Sequence, residues 1–200
     1  MSVSQTMSVS QANQAGGQLG ALLDELGAVT SDALRVFGGL SAAQLNWKPS
    51  AERWSVGQCF DHLIATNRTF FKDMEKIASG KHKSSLWGRV SPLSGFFGRL
   101  ILRSLDPEKG RKTKAPRIFQ PASSDVAADV IEQFAGHQRE LEARMRATAG
   151  VDLARTIVTS PVAAVATYSL LDAYRIVVAH ERKHFEQARR VTQTEGFPRD

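Results

Sequence analysis

Three histidines carry the chemistry this sequence can offer. His180 and His184 lie four residues apart in Leu170–Val191 (LLDAYRIVVAHERKHFEQARRV), and helical residues at that spacing stand one above the other on a single face. Two neutral imidazoles with a third ligand from elsewhere form the core of a metal site that keeps a position open for water or substrate. The third candidate is His62, in Trp54-Ser-Val-Gly-Gln-Cys-Phe-Asp-His62-Leu63. On spacing alone, the fourth-helix pair fits a metal site or a pair of buried structural histidines. The pair borders an apolar face set by Leu170, Tyr174, Val177 and Ala188. Burying two unpartnered imidazoles there costs roughly a few kcal/mol, so an ion or a hydrogen-bond partner must satisfy them.

His62 is less decided by pattern. Measured from the mean direction of its helix's apolar residues it points ~130° away, at ~100° per residue, which suits an exposed flank as well as a site. His137 sits on the apolar stripe of Val130, Phe134 and Leu141 and reads as a hydrogen-bonded core or pocket-wall histidine. His82 opens a basic segment and reads as solvated. No sure general base is offered. Asp61 and Glu181 adjoin candidate ligands, but helical neighbours point ~100° apart, so both are expected at the surface or behind the ligands. Gln58, one turn before His62, and Gln187, one turn after His184, are better placed to hydrogen-bond the ligands' second ring nitrogens. Cys59, the single cysteine, has no cation near it in its helix and reads as a core thiol.

A divalent ion on three imidazoles can bring the pKa of a bound water toward ~7 for hydrolysis, or hold a thiol as thiolate facing an electrophile. All-imidazole ligation favours zinc or nickel, with manganese and iron also within reach. The competing reading is a non-enzymatic bundle protein whose metal is structural or whose role is to bind a partner. A fourth protein ligand closing the site, such as His137, would favour it.

The elements that must position these residues are helices. Leu19, Leu22, Leu23, Leu26, Val29, Ala33 and Phe37 recur at helical spacing over residues 17–38, and Gly38-Gly39 stops that helix. Ser41-Ala-Ala-Gln44 is a capping box for one short turn. Ser55-Val-Gly-Gln58 is another, opening a long helix to about Ala78 through Val56, Cys59, Phe60, Leu63, Phe70, Phe71, Met74 and Ile77. A third helix is expected from about Ser124 to Ala147. A fourth is expected from Leu170 to about Thr194, capped by Ser169-Leu-Leu-Asp172. No strand pattern stands out. The fold class expected is all-α: a four-helix bundle with one long crossover between its second and third helices.

Two hundred residues, 42% of them hydrophobic, suit one domain. The expected division is a disordered tail over 1–16, in which Met1–Gln5 recurs as Met7–Gln11, and a domain over 17–195. The crossover, 81–121, holds four of the seven prolines, and Leu93–Leu105 within it is apolar enough for a short helix or a packed lid. Charge is uneven. Residues 81–120 carry ten Lys/Arg against two Asp/Glu, a net +8, whereas the rest of the chain is net −2. Such a segment suits an acidic ligand, nucleic acid or a membrane surface, or simply solvation. Trp87, Phe96 and Phe97 are expected to pack over one end of the bundle, with Lys112, Lys114 and Arg117 near the metal cleft. Without a signal peptide, a membrane-spanning run or paired cysteines, the expectation is a cytoplasmic protein. Neither specific nucleic-acid binding nor a membrane partner is expected.

Leu45-Asn-Trp-Lys-Pro49, the stretch Trp54-Ser-Val-Gly-Gln58 with His62-Leu63, and His180-Glu-Arg-Lys-His184-Phe-Glu-Gln187 resemble the DinB-like/YfiT-like superfamily. The resemblance covers about residues 18–192, and its most specific parts are W-S-(I/V)-G-Q-x-x-x-H-L and H-x-x-x-H-x-x-Q, in that order. It implies a four-helix protein of a kind often described as a metal-dependent hydrolase. It also implies a divalent ion held by one histidine of the second helix and two of the fourth, matching His62, His180 and His184. Some members are thiol-dependent transferases or isomerases, so a small-molecule substrate, anionic or a low-molecular-weight thiol, is expected. The enlarged basic segment departs from the family pattern. A homodimer is a frequent state in the family, and Ile64 and Phe71 on the margins of the core stripe are the residues expected to serve it.

Overall fold

The computed structural model describes residues 9–82, 94–105, 125–161 and 166–199. It is a helical bundle. Helix α1 (Val9–Phe37) is followed by the short α2 (Ala42–Asn46), α3 (Val56–Arg68), α4 (Phe71–Ala78) and α5 (Ser94–Leu105). Then come α6 (Val130–Ala147), strands β1 (Ile157–Thr159) and β2 (Thr167–Ser169), and α7 (Leu170–Thr192). Helices α1 and α3 each lie against both α6 and α7, α4 extends the contact along α6, and α5 flanks α7 and β2. The four long helices α1, α3, α6 and α7 make the bundle, and α5 is laid on its outside.

The apolar periodicity explains the packing. All seven positions read from α1 are buried, as are Val56, Cys59, Phe60 and Leu63 of α3 and Phe134, Leu141 and Met145 of α6. Both expected capping boxes form: Ser41 and Gln44 around α2, Ser55 and Gln58 around α3, each satisfying backbone donors that the first helical turn leaves free. Ser169 caps α7 by accepting from the Asp172 amide at 3.0 Å. Gly57 has a packing reason, because a Cβ there would come within 3.0 Å of the Leu45 carbonyl and 3.1 Å of Val126.

The structure departs from the sequence expectations in four places. The backbone of α1 is already helical from Val9, inside the stretch expected to be a tail. The second long helix is two, broken at Thr69–Phe70. There the Thr66 hydroxyl donates to the His62 and Leu63 carbonyls, and that of Thr69 to the Thr66 carbonyl, the side-chain competition that bends helices. Helix α6 begins at Val130 and not near Ser124. The Asn46 amide occupies both the N–H and the C=O of Val126, at 2.7 and 2.9 Å, and holds that segment out of a helix. Finally, β1 and β2 pair antiparallel, Val158 opposite Tyr168; three-residue strands are too short to display an alternation.

The core is two apolar clusters with a polar waist. One cluster gathers Leu19–Leu26 of α1, Leu141 and Met145 of α6 and Leu170–Val178 of α7. The other gathers Val29–Phe37, Val56–Ile64, Val130–Phe134, and Ala188 and Val191 of α7. Between them α6 contributes His137 and Gln138, and α7 contributes His180, Glu181 and His184; His62 and Asn67 of α3 complete the layer.

Candidate metal centre

Helix α3 delivers His62 and α7 delivers His180 and His184 to one point. Their ligand atoms all lie within 4.8 Å of one another, with His62 and His184 buried and His180 half-buried. The ring centroids are 5.0 Å apart for His62 and His180, and 4.6 Å for each of the other pairs. The Nε2 atoms of His62 and His180 stand 3.1 Å apart, near the ~3.3 Å that separates two nitrogens on one tetrahedral ion at ~2.05 Å. The ambiguity over His62 is thereby settled geometrically: it is 3% exposed.

Electrostatics keep the His180 and His184 rings neutral. Burial, then the neighbouring His62, then Lys183 bring His180 down to about 3. Burial, His180, His62 and Lys183 hold His184 well below the ordinary histidine range, the Gln187 amide pulling weakly the other way. A neutral imidazole is the form that ligates a metal. One observation tests the fit of an ion. Nδ1 of His184 is buried without a hydrogen-bond partner, one of four such side-chain atoms among the described residues, with both ring nitrogens of His137 and Gln138 Oε1. Three desolvated imidazoles, one with an orphaned nitrogen, suit a divalent cation. They do not suit a charged organic cofactor.

Trp54, just ahead of the Ser55 cap, roofs the site. Its indole tilts over His62 at 4.8 Å and stacks on His184 at 5.5 Å with an interplanar angle of 18°. Sequence reading gave Trp54 no role, although it stands in the same short motif as His62; nothing in spacing reveals that the loop folds back over the rings. Lys183 donates to the Ser104 carbonyl at 3.1 Å, tying the C-terminal end of α5 beside the histidines.

Other expected positions fall differently. Glu181, expected at the surface or behind the ligands, is completely buried. Its Oε1 accepts from Asn67 Nδ2 at 2.7 Å and its Oε2 from Gln138 Nε2 at 2.8 Å, so it joins α3, α6 and α7. Burial pushes its carboxyl up to about 8, the two amide donors pulling it back. Asn67 and Gln138 were invisible to sequence reading because they meet Glu181 only through the fold. Asp61 is half-buried. Gln58 spends its amide oxygen on the Ser55 backbone at 3.2 Å, a capping duty.

His137 is buried as expected, but it is not hydrogen-bonded. Both its ring nitrogens lack partners, and it stacks on Phe71 at 5.2 Å, apart from the three-histidine group. Burial, and then Arg68, lower it to about 4. His82 is not simply solvated; its ring bonds the Ile157 carbonyl at 2.9 Å. Cys59 is a core thiol that burial pushes far up. Ile64 is buried, and half-buried Phe71 lies under the Arg144 guanidinium at 4.4 Å.

Comparison with known families is decisive at one level. Residues 25–188 match the DinB superfamily. This chain belongs to that superfamily. No curated protein and no solved structure matches it. Membership in the DinB superfamily and the three-histidine cluster are together compatible with a metal-binding site. Among the described residues, no helix is long and apolar enough to cross a membrane. Trp87, Lys112, Lys114 and Arg117 lie outside the described residues. Phe96, expected to pack, is 52% exposed, because Phe97, ~100° further round the helix, takes the inward position.

Proposed function

We propose that this DinB-superfamily protein is a metal-dependent enzyme acting on a small molecule by hydrolysis or thiol transfer at His62, His180 and His184. The observation that supports this reading is the convergence of three imidazoles with the buried His184 Nδ1 unpartnered. Bound there, a zinc or nickel ion would supply Lewis acidity to a water or thiol at its open position. The chain's own residues prepare that chemistry. Trp54 fixes two of the rings by stacking and keeps water from their faces. Half-buried His180 leaves one side of the group reachable. Lys183 adds positive potential that favours an anionic substrate or a thiolate.

The alternative, a structural ion in a non-catalytic bundle, calls for a fourth protein ligand. His137, the candidate for that place, stacks on Phe71 instead. The test is cobalt(II) substitution followed by titration with small thiols and carboxylates. Saturable change in the visible spectrum, with sulfur-to-cobalt charge transfer for thiols, is expected. A spectrum unmoved by every small ligand would establish a closed, structural site.

A further inference from the structure

Helix α5 is apolar on two sides. Inward, Ile101, Leu102 and Leu105 pack on the core, Gly98 lies so close to Asp172 that a Cβ would come within 3.0 Å of its carboxylate, and Lys183 holds the Ser104 carbonyl. Outward, Phe96, Arg99, Leu100 and Arg103 follow the i, i+3, i+4, i+7 spacing of one helical face, and all four are exposed. Phe96 at 52% and Leu100 at 51% are two of the three large hydrophobic residues exposed among the described ones; the third, Leu34, is on α1. The helix is therefore docked on the bundle while its outer stripe alternates bulky apolar groups with guanidiniums.

We propose that this outer face of α5 docks on an anionic lipid surface. Charge complementarity selects the occupant. Residues 81–120, the stretch of sequence that includes this helix, hold a net +8, whereas the rest of the chain is net −2, and on the helix itself Arg99 and Arg103 stand exposed beside the apolar side chains. Phe96 and Leu100 can enter the boundary between headgroups and acyl chains while Arg99 and Arg103 reach lipid phosphates. Nucleic acid offers the phosphates but no place for Leu100. A second copy would bring two cationic faces together. Where the sequence expected no membrane partner, this stripe gives a reason to test for one. The proposal is independent of the metal centre.

The full-length protein is mixed with phosphatidylcholine vesicles, with or without phosphatidylglycerol, and floated. Binding is expected only to the anionic vesicles. R99Q/R103Q should lower the partition coefficient about 30-fold, at roughly fivefold per charge. F96S/L100S, which keeps every charge, should reduce it comparably. F96W should shift its added emission to the blue on anionic vesicles and be quenched by brominated lipid. Circular dichroism and the melting temperature check that the variants fold. Four results would overturn the proposal: no binding to anionic vesicles, binding indifferent to F96S/L100S, tighter binding to duplex DNA than to the vesicles, or a lipid-free dimer that F96S/L100S dissolves.

Discussion

On α7, His180 and His184 face one side of the bundle's waist and Glu181, between them, faces another, and the two sides treat buried polarity differently. Glu181 is met on both oxygens by amide donors from α3 and α6. The histidine rings meet one another and Trp54, and among the described residues Nδ1 of His184 has no hydrogen-bond partner. A buried polar group costs free energy unless it is partnered. The Glu181 cluster joins three helices, with Gln138 Oε1 its one unpartnered buried atom. On the proposed reading, a metal ion answers the histidine side. Glu181 thus acts as a positioning residue, fixing the rotation of the helix whose other side carries two of the three histidines.

The largest effect expected from breaking this contrast is on the satisfied side. Glu181→Ala strands the Asn67 and Gln138 amides in the waist and should cost about 3 kcal/mol or more in urea unfolding. Glu181→Gln, which keeps the volume, should cost less and retain the metal. A loss under about 1 kcal/mol for the alanine variant would mean the helices are registered by their apolar clusters alone.

His137 sharpens the contrast, since it is unpartnered like His184 but stands apart from the ligand group. Its folded pKa of about 4 lies below the unfolded value of 6.5, so the unfolded chain binds more protons between those values. Its contribution is fully present above about pH 6.5 and is lost as pH falls toward 4, on the order of 2 kcal/mol. His137→Phe should flatten that decline relative to wild type. Equal slopes for the two proteins would assign the acid sensitivity elsewhere.

Trp54→Ala should leave the fold in place, at a cost of about 2 kcal/mol, and weaken metal binding about tenfold by freeing the rings; Trp54→Phe should recover most of the affinity in a competitive chelator titration. The smallest effect is His82→Ala, which removes one bond to β1 and should cost about 1 kcal/mol in thermal unfolding without altering metal content.

Much of this was legible in the sequence, for definite reasons. Capping boxes and apolar periodicity are local, and they placed the end of α1, α2, α7 and the start of α3 where they are found. The i, i+4 pair on α7 and its motif partner His62 came together. The uncertainty over His62 arose from expecting one buried face: it points just as far from Val56, Cys59, Phe60 and Leu63 alone, and α3 is buried on more than one side because it packs on both α6 and α7. Glu181 was misplaced although its angular offset from the histidines was read correctly. Facing away from them meant facing another buried seam, because α1, α3 and α5 all pack on α7. Asn67, Gln138 and Trp54 gain their roles through contacts distant in sequence, for which local pattern holds no signal.

The central claim, that the orphaned side of the waist is a metal centre, is tested most directly by elemental analysis of the purified protein and its histidine variants. The account predicts about one divalent ion per chain in wild type, Glu181→Gln, His137→Ala and His82→Ala, and next to none in His62→Ala, His180→Ala and His184→Ala. Equal metal content in wild type and the three ligand variants, each shown to be folded, would contradict it.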